Sequence, residues 1–421
     1  MPPLSTAEDR VLDAVDDEWA AGRLAELVAV PSVTGSAAES EAQHLLAGWL
    51  SELGLDVDLW PVDLAGLAAD PDFPGTEAPR TEAWGLVGTT GAADGPTLVL
   101  SGHIDVVPAG DPALWAGDPF TPVIGAGMLS GRGSCDMKGG LIAAVVAARA
   151  IRQSGVTLAG RLAVHSVVGE EDGGLGTLAT LRRGHGGDAC VIPEPTDLAV
   201  VTAAAGALGF RIEIDGRAAH GAVRDTGVSA LEMFLPVHRA LLALEDERNK
   251  DVDPRFADHA RPYALSIGTV RAGDWSSTVP DRLVAEGRYG VRLGEPPARA
   301  RAAFERAVES GTPDNAWLSG HPPRVTWSGG QFASGRLPDG HPLLGQVRAA
   351  AEGAGLSSPA ERAVPYGSDL RQYAAAGIPT VHFGPGEVVV AHTPIERIRL
   401  ADVVGVARAL ALLAVRTCGV R

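Results

Sequence analysis

An apolar run that stops at a histidine and an aspartate constrains this chain more than any other feature. Thr97 to Leu100 predicts a buried strand, Gly102 ends it, and His103 and Asp105 follow. Residues two apart in an extended chain share a face, so these two side chains point the same way. An imidazole that binds a metal ion is commonly oriented by a neighbouring carboxylate. Taken alone, the pair is equally compatible with a structural histidine beside a turn.

Composition favours a soluble protein with two domains. The chain has 421 residues, of which 45% are hydrophobic, and a net charge of -17; at this length two hydrophobic cores are usual. The acidic balance argues against nucleic acid or an anionic membrane as a partner. Only Cys135, Cys190 and Cys418 are cysteines, and the acidic N-terminal segment lacks a signal-peptide pattern. We therefore expect a cytoplasmic protein.

Alternating strand and helix patterns predict an α/β domain built on a mostly parallel sheet. Residues 5–30 are expected to form one helix, and Ser36 with Glu39 matches a capping box at the start of the next. From about residue 207 the order changes to β-α-β-β-α, which is typical of a small two-layer α+β domain. We expect a catalytic domain in two segments, 1–206 and 326–421, with an inserted domain at 207–325.

Five candidate positions for metal ligands follow predicted strands or lie in the loops after them. The carboxyl ends of parallel strands meet at one edge of a sheet, so these side chains should converge. Imidazole and carboxylate groups are ligands of zinc, and of cobalt or manganese as substitutes. A pair of divalent ions needs a bridging carboxylate, for which Asp136 is suited, and a free carboxylate that takes a proton from water. The candidates are His103, Asp136, the pair Glu170–Glu171, Glu194 and His392.

Five ordered motifs resemble those of the dinuclear M20 metallopeptidases: SGHIDVVP, GRGSCDMKGG, GEEDGG, IPEPT and AHTPIERI. The resemblance extends over nearly the whole chain and favours the deacylase branch, which holds acetylornithine deacetylase and succinyl-diaminopimelate desuccinylase. It implies two divalent ions, of which zinc is the first expectation. By this resemblance, one ion is bound by His103, Asp136 and Glu194, and a second by Asp136, Glu171 and His392. Asp105 is expected to orient His103, and Glu170 is expected to be the general base.

The same resemblance implies an architecture and a substrate class. The family joins a catalytic α/β domain to an inserted lid domain that often makes a homodimer. In the family, Glu at the position of Glu194 goes more with acylases, deacetylases and carboxypeptidases, and Asp more with aminopeptidases and dipeptidases. Glu194 therefore favours removal of an N-acyl group (acetyl, succinyl or formyl) from a small amine or amino acid. The motif GRAAHGA implies that His220 stabilises the oxyanion of the reaction, commonly in the site of the partner subunit.

Contacts to the substrate are indicated by arginines and by a glycine turn. The segment TVPDRLVAEGR resembles the deacylase branch, but Ser277 stands where relatives have Asn, and two arginines compete for the following position. Arg371 could bind a substrate carboxylate in a bidentate manner, or form an ion pair with Asp369 or Glu361. The Gly-Pro-Gly turn would let a substrate approach the backbone closely. The candidate substrate contacts are Arg288, Arg292, Arg371, Gly384 and Gly386.

Two other functions stay open. The first is a dipeptidase or carboxypeptidase that uses the same dinuclear site, and the second is an inactive metal-bound binding protein. A complete set of ligands together with Glu170 favours an enzyme. Cys135 has no apparent His or Asn relay, so a thiol nucleophile is disfavoured. The histidines expected to pack in strands and helices are His44, His165, His238 and His382.

Overall fold

The computed structural model describes residues 3–91, 94–312 and 315–421. The strands are β1 (Asp56–Pro61), β2 (Trp84–Gly91), β3 (Thr97–His103), β4 (Val123–Gly125), β5 (Met128–Ser130), β6 (Arg161–Val167), β7 (Ala189–Ile192), β8 (Val200–Ala204), β9 (Gly206–Asp215), β10 (Leu265–Ala272), β11 (Arg282–Val291), β12 (Arg324–Phe332), β13 (Gly335–Arg336), β14 (Glu361–Val364), β15 (Thr380–His382) and β16 (Arg397–Arg399). The helices are α1 (Thr6–Asp13), α2 (Asp17–Val28), α3 (Ala37–Glu52), α4 (Leu64–Ala68), α5 (Gly139–Ser154), α6 (Leu175–Arg182), α7 (Ala230–Arg248), α8 (Pro297–Ser310), α9 (Ala316–Gly320), α10 (Leu343–Gly353), α11 (Leu370–Ala375) and α12 (Leu400–Cys418).

The large sheet is parallel at its centre and antiparallel towards its edges. Its order is β1-β2-β6-β3-β7-β15-β8-β13, and β14 pairs with β8. The neighbours β6-β3-β7-β15 are parallel, whereas β1, β2 and β13 run antiparallel to the strands they pair with. The expected parallel sheet is thus the middle of a mixed one. The carboxyl ends of the four central strands open together at one edge.

Apolar helices cover this sheet and build the main core. α5 and α12 contact each other and also pack on β3 and β6, and most of their side chains are buried. The inserted domain has a separate hydrophobic core, as a chain of this length predicts. In the part of the chain that the structure describes, no helix is long and apolar enough to cross a membrane.

Two local expectations near the N-terminus are wrong. The single helix expected over residues 5–30 is divided into α1 and α2, because the Asp16 side chain accepts the backbone N–H of Trp19 at 3.0 Å and caps a new helix. The capping box expected at Ser36 is absent from α3, since its hydroxyl makes no cap hydrogen bond. The Glu39 side chain is turned instead towards a loop of the metal centre, described below.

The inserted domain is a four-stranded antiparallel sheet in the order β10-β11-β9-β12. α7 and α8 contact each other and pack on this sheet. β12 continues to Phe332, so the expected return to the catalytic domain at residue 326 falls inside a strand of the inserted sheet. An irregularity between Trp327 and Gln331 interrupts the register of β12. Because of this interruption, the alternation of hydrophobic residues does not reveal the full length of the strand.

Candidate metal centre

Two histidines lie on opposite sides of one carboxylate. His103 Nε2 lies 3.2 Å from Asp136 Oδ1, and His392 Nε2 lies 3.3 Å from Asp136 Oδ2. Glu194 Oε1 is 4.0 Å from His103 Nε2. Glu171 Oε1 is 3.1 Å from His392 Nε2. Asp136 therefore stands between two possible cation positions, one beside His103 and Glu194 and the other beside Glu171 and His392.

The central strands carry most of these side chains to one place. His103 is the last residue of β3, Glu170 and Glu171 follow β6, and Glu194 follows β7. His392 lies in a loop with a backbone φ of 60°. This left-handed conformation is uncommon outside glycine and clusters at functional sites.

The charges of the cluster fit divalent cations. Burial raises the pKa of Glu170 and that of Glu194 well above the usual range. Burial opposes ionisation of Asp136 as well, but hydrogen bonds to the two histidines hold its pKa well below the usual value. Several carboxylates in one buried place are costly unless cations compensate them. Imidazole nitrogen and carboxylate oxygen are the donors that zinc, cobalt and manganese accept.

The Asp105 carboxylate contacts the loop of Glu170 more closely than it contacts the His103 imidazole. His103 Nδ1 lies 2.8 Å from the backbone carbonyl of Asp105 and 3.7 Å from its carboxylate. The carboxylate accepts the backbone N–H groups of Glu170 at 3.2 Å and Glu171 at 3.3 Å. It also accepts the hydroxyl of Thr34 at 2.9 Å. The backbone carbonyl therefore orients His103, and the expected role of the carboxylate is corrected accordingly.

A cavity of about 280 Å³ opens over the ligand cluster. Its floor is formed by the carboxylates and His392, and its walls include a tyrosine, a serine and short apolar side chains. A larger cavity of about 780 Å³ lies between the two domains, but none of the candidate metal ligands lines it. The lining of the smaller cavity is Asp136, Glu170, Glu171, Glu194, Pro195, Tyr366, Gly367, Ser368, Val388, Ala391 and His392.

Comparison with known proteins agrees with this geometry. A family model described as Peptidase family M20/M25/M40 matches residues 99–416. The chain belongs to this family. It is 27% identical over 382 residues to an N-formyl-4-amino-5-aminomethyl-2-methylpyrimidine deformylase of Bacillus subtilis, with 86% of the chain and 85% of that protein covered. It is 32% identical over 282 residues to a succinyl-diaminopimelate desuccinylase of Gluconacetobacter diazotrophicus, covering 64% of the chain and 66% of that protein.

A solved structure of the M20 family has the same fold. It is the YXEP protein of Bacillus subtilis, described as a dinuclear metal binding peptidase. The TM-score is 0.64 at 19% sequence identity, and the alignment covers 96% of this chain and 98% of that one. The mixed sheet and the separate inserted sheet are thus those of a known M20 architecture.

Several residues assigned to the M20 site from sequence lie away from its cavity. His220 is exposed on the inserted domain, where its Nδ1 accepts the N–H of Ala222 at 3.1 Å. Gly384 and Gly386 do not line the cavity. A Cβ on Gly384 would lie 2.3 Å from the carbonyl oxygen of Glu194, so this glycine holds the ligand loop from behind.

The three candidate arginines all have protein partners. Arg288 Nη2 donates to the carbonyl of Pro365 at 2.7 Å, which ties the inserted domain to the loop before Tyr366. Arg292 donates to two carbonyls at the C-terminal end of α7. Arg371 is buried, donates to the carbonyls of Ser368 and Gly173, and has Asp369 at 3.8 Å. This geometry favours the structural alternative for Arg371.

A buried ion network supports the loop of Glu170 and was missed in the sequence. Arg80 contacts Glu39 at 3.4 Å and Asp172 at 3.3 Å, and all three side chains are at most 4% exposed. Glu39 also accepts the backbone N–H of Gly169 at 3.1 Å. The network therefore holds both sides of the segment that carries Glu170. Asp172 stands in the GEEDGG motif, but no spacing rule relates it to its distant partners.

Glu396 is a second missed residue, although it lies in the AHTPIERI motif. Its Oε1 accepts the backbone N–H groups of Cys135 at 3.0 Å and Asp136 at 3.1 Å. Its Oε2 pairs with Arg132 Nη1 at 2.5 Å, and both residues are buried. Glu396 thus fixes the backbone of Asp136. Burial raises the pKa of the adjacent Cys135 thiol far above its usual value, which disfavours a thiolate nucleophile.

Close backbone packing also positions Glu194. A Cβ on Gly140, in the first turn of α5, would lie 1.7 Å from the carbonyl oxygen of Pro193. The contact at Gly384 closes the other side of the same loop. Only glycine permits either approach, because any side chain would overlap the backbone.

Proposed function

We propose that this M20 protein is an amidohydrolase that removes an N-acyl group from a small amine or amino acid. The observation that carries the proposal is the position of Glu170, buried and facing the same cavity as the histidine–carboxylate cluster. It lies within reach of the cluster without being one of the carboxylates paired to a histidine. The two relatives described above are named as a deformylase and a desuccinylase, which both act on N-acyl groups and support this class of reaction.

The roles of the side chains follow from their surroundings. Two divalent ions, when bound, would supply a Lewis acid for the amide carbonyl and a water of lowered pKa. Glu170 would accept a proton from that water and return it to the leaving amine nitrogen. The raised pKa of Glu170 suits both transfers, because a carboxyl that is too acidic is a weak acid–base catalyst at neutral pH. His220 of a second copy would donate a hydrogen bond to the developing oxyanion.

The substitution Glu170→Gln tests the catalytic assignment. We expect the variant to keep two metal ions per chain and to lose nearly all turnover, since a carboxamide cannot accept the proton. The matched variant Glu171→Gln should instead lose metal. The Glu171 carboxylate lies 3.1 Å from His392 Nε2, so the two side chains can bind the same ion. Metal content and hydrolysis are measured on the same samples. Normal turnover by Glu170→Gln would remove this residue from the mechanism.

Metal identity and substrate class are tested together. We propose zinc as the native metal, with cobalt or manganese as substitutes. The protein is stripped, reconstituted with each ion, and assayed on N-formyl, N-acetyl and N-succinyl amines beside dipeptides. Faster cleavage of dipeptides than of every acyl amine would establish the alternative, a dipeptidase or carboxypeptidase on the same site. Stoichiometric metal with no hydrolysis in the whole panel would favour a binding protein.

We also propose a homodimer formed through the inserted domain. β10 is an edge strand of its sheet and is exposed along most of its length. α7, which packs beside it, exposes a row of leucines on its outer side, namely Leu231, Leu235 and Leu242. An open edge next to an apolar helix face is suited to pairing with a second copy.

Sedimentation analysis tests the dimer. Leu235→Glu, on the exposed face of α7, should shift the protein towards monomer. Leu114→Glu serves as a control, because Leu114 is 66% exposed on the catalytic domain, away from this face. A monomeric parent protein, or equal effects of both variants, would contradict the proposed interface.

A cytoplasmic location is proposed as well. Its support is that all three cysteines are free and buried, as suits a reducing compartment. Cell fractionation tests this location, and recovery of the protein outside the cytoplasm would contradict it.

A further inference from the structure

We propose that this site selects acyl groups that are uncharged, such as formyl and acetyl, and discriminates against acyl groups that end in a carboxylate. The inference rests on the proposed amidohydrolase function and deepens it by naming the substrate class. It is carried by the lining of the cavity and by the partners of the nearby arginines.

Apart from four carboxylates and His392, which face the proposed metal ions, the described cavity lining contains hydroxyl groups and apolar surface, with no arginine or lysine. Tyr366 and Ser368 supply hydroxyls, and Pro195, Val388 and Ala391 supply apolar wall. Ser368 already shares a hydrogen bond of 3.0 Å with the buried His382. A neutral acyl group can be accommodated by such walls. A terminal carboxylate would find no cationic partner among them.

Two arginines bond to the backbone of the segment that forms the cavity wall around Tyr366, and both are engaged there. Arg371 is 6% exposed, its guanidinium donates to two backbone carbonyls, and it stacks over the ring of Phe332 at 4.2 Å. Arg288 is bonded to the carbonyl of Pro365. Recruiting Arg371 to a substrate would leave two buried carbonyl groups without a donor, and recruiting Arg288 would do the same to the partly buried carbonyl of Pro365.

The charge of the site leads to the same conclusion. Four carboxylates face the cavity, those of Asp136, Glu170, Glu171 and Glu194. With all four carboxyl groups ionised in the metal-loaded protein, two divalent cations would balance them, so no excess positive charge would remain for a further anion. A carboxylate brought into this space loses hydration without gaining a counter-ion.

Matched acyl chains test the inference. One amine is offered as N-formyl, N-acetyl, N-butyryl and N-succinyl derivatives; the last two have the same chain length and differ by a terminal carboxylate. We expect kcat/KM for the succinyl compound to be about 100-fold below that of the butyryl compound, as the loss of a hydrogen bond to a charged group predicts. A succinyl rate equal to or above the butyryl rate would overturn the proposal.

A gain-of-charge variant gives an independent readout. Val388 lines the cavity, whereas its neighbour Val389 is 74% exposed and does not line it. Val388→Arg should raise kcat/KM for the succinyl compound about tenfold through a new charged hydrogen bond, and Val389→Arg should not. Equal effects of the two variants would contradict the assigned lining.

The Arg288→Met variant checks the remaining source of a cation. If the inference is right, this variant leaves the ratio of succinyl to butyryl hydrolysis unchanged. Selective loss of succinyl hydrolysis would show that Arg288 leaves Pro365 to pair with the substrate, which would overturn the inference.

Binding distinguishes this inference from the proposed function. Titration calorimetry with metal-loaded Glu170→Gln measures the affinity for each acyl amine without turnover. We expect the succinyl compound to bind at least about tenfold more weakly than the butyryl compound. Equal binding would overturn the inference even if hydrolysis were confirmed. Absence of binding by every acyl amine, together with cleavage of dipeptides by the parent protein, would refute the proposed function and the inference with it.

Discussion

Replacing Glu396 by Gln isolates the effect of one buried charge on the metal centre. The side chain is fully buried, receives two backbone N–H groups and pairs with Arg132. Glutamine preserves the shape, but it removes the negative charge and turns one acceptor into a donor. Arg132 would then keep its charge in a buried position without a counter-ion.

The expected loss of stability is large. Breaking a buried ion pair by removing one partner costs about 3–5 kcal/mol, whereas an exposed pair contributes about 0–1 kcal/mol. The two backbone hydrogen bonds belong to the same network, so their energies are not added to this figure. Because the backbone N–H of Asp136 is one of the donors, metal affinity should also fall by about 10–100-fold.

Urea unfolding followed by tryptophan fluorescence, together with competition titration of zinc, measures both effects. Asp72→Asn is the matched control: Asp72 pairs with Arg182 at 2.6 Å, but the two side chains are 73% and 47% exposed. This control should change stability by less than about 1 kcal/mol. A Glu396→Gln variant with the stability of the control and unchanged zinc affinity would refute the reasoning.

Two further predictions concern the loop that carries Glu170 and the side chain of His392. Arg80→Met should lower the free energy of unfolding by about 3–5 kcal/mol and lower kcat, because Glu39 and Asp172 lose their shared cation; wild-type kcat in this variant would contradict a positioning role. Hydrogen bonds to Asp136 and Glu171 raise the pKa of His392 to about 10. Below pH 6.5 protonated His392 therefore makes its full contribution to the stability of the metal-free fold, and this contribution is lost as the pH rises towards 10. Metal binding, in contrast, requires the neutral imidazole ring. The difference in melting temperature between metal-loaded and metal-free protein should widen over this interval, and a narrowing difference would contradict the assignment.

The sequence predicts that the candidate ligands come together because strand ends are local features. His103, Glu171 and Glu194 each follow an apolar run, and parallel strands bring such positions together whatever the intervening loops do. The two-domain organisation also follows from chain length and from the change in element order near residue 207. The end of the insertion does not, since β12 carries a register irregularity in its middle.

The supporting contacts could not be predicted because they depend on the path of distant loops. Arg80 lies in a loop far from both of its carboxylate partners in sequence. The sequence predicts that Asp105 orients His103, but residue identity does not reveal that the backbone carbonyl is the group that reaches the imidazole. The hydrogen-bond partners of Arg288 and Arg371 are backbone carbonyls. Every residue has such a group, so the sequence does not indicate which carbonyls will be used.

The close packing at Gly140 and Gly384 has a consequence for how the protein acquires its metal. Both contacts involve the backbone beside Glu194 and require no ion. The close packing of the two glycines against this backbone therefore fixes the ligand loop. Metal therefore binds to a ligand loop that is already in place and does not have to fold around the ion. Among divalent ions that accept nitrogen and oxygen donors, availability then helps to decide which ion is bound. The same chain should therefore exchange one divalent ion for another without passing through an unfolded state.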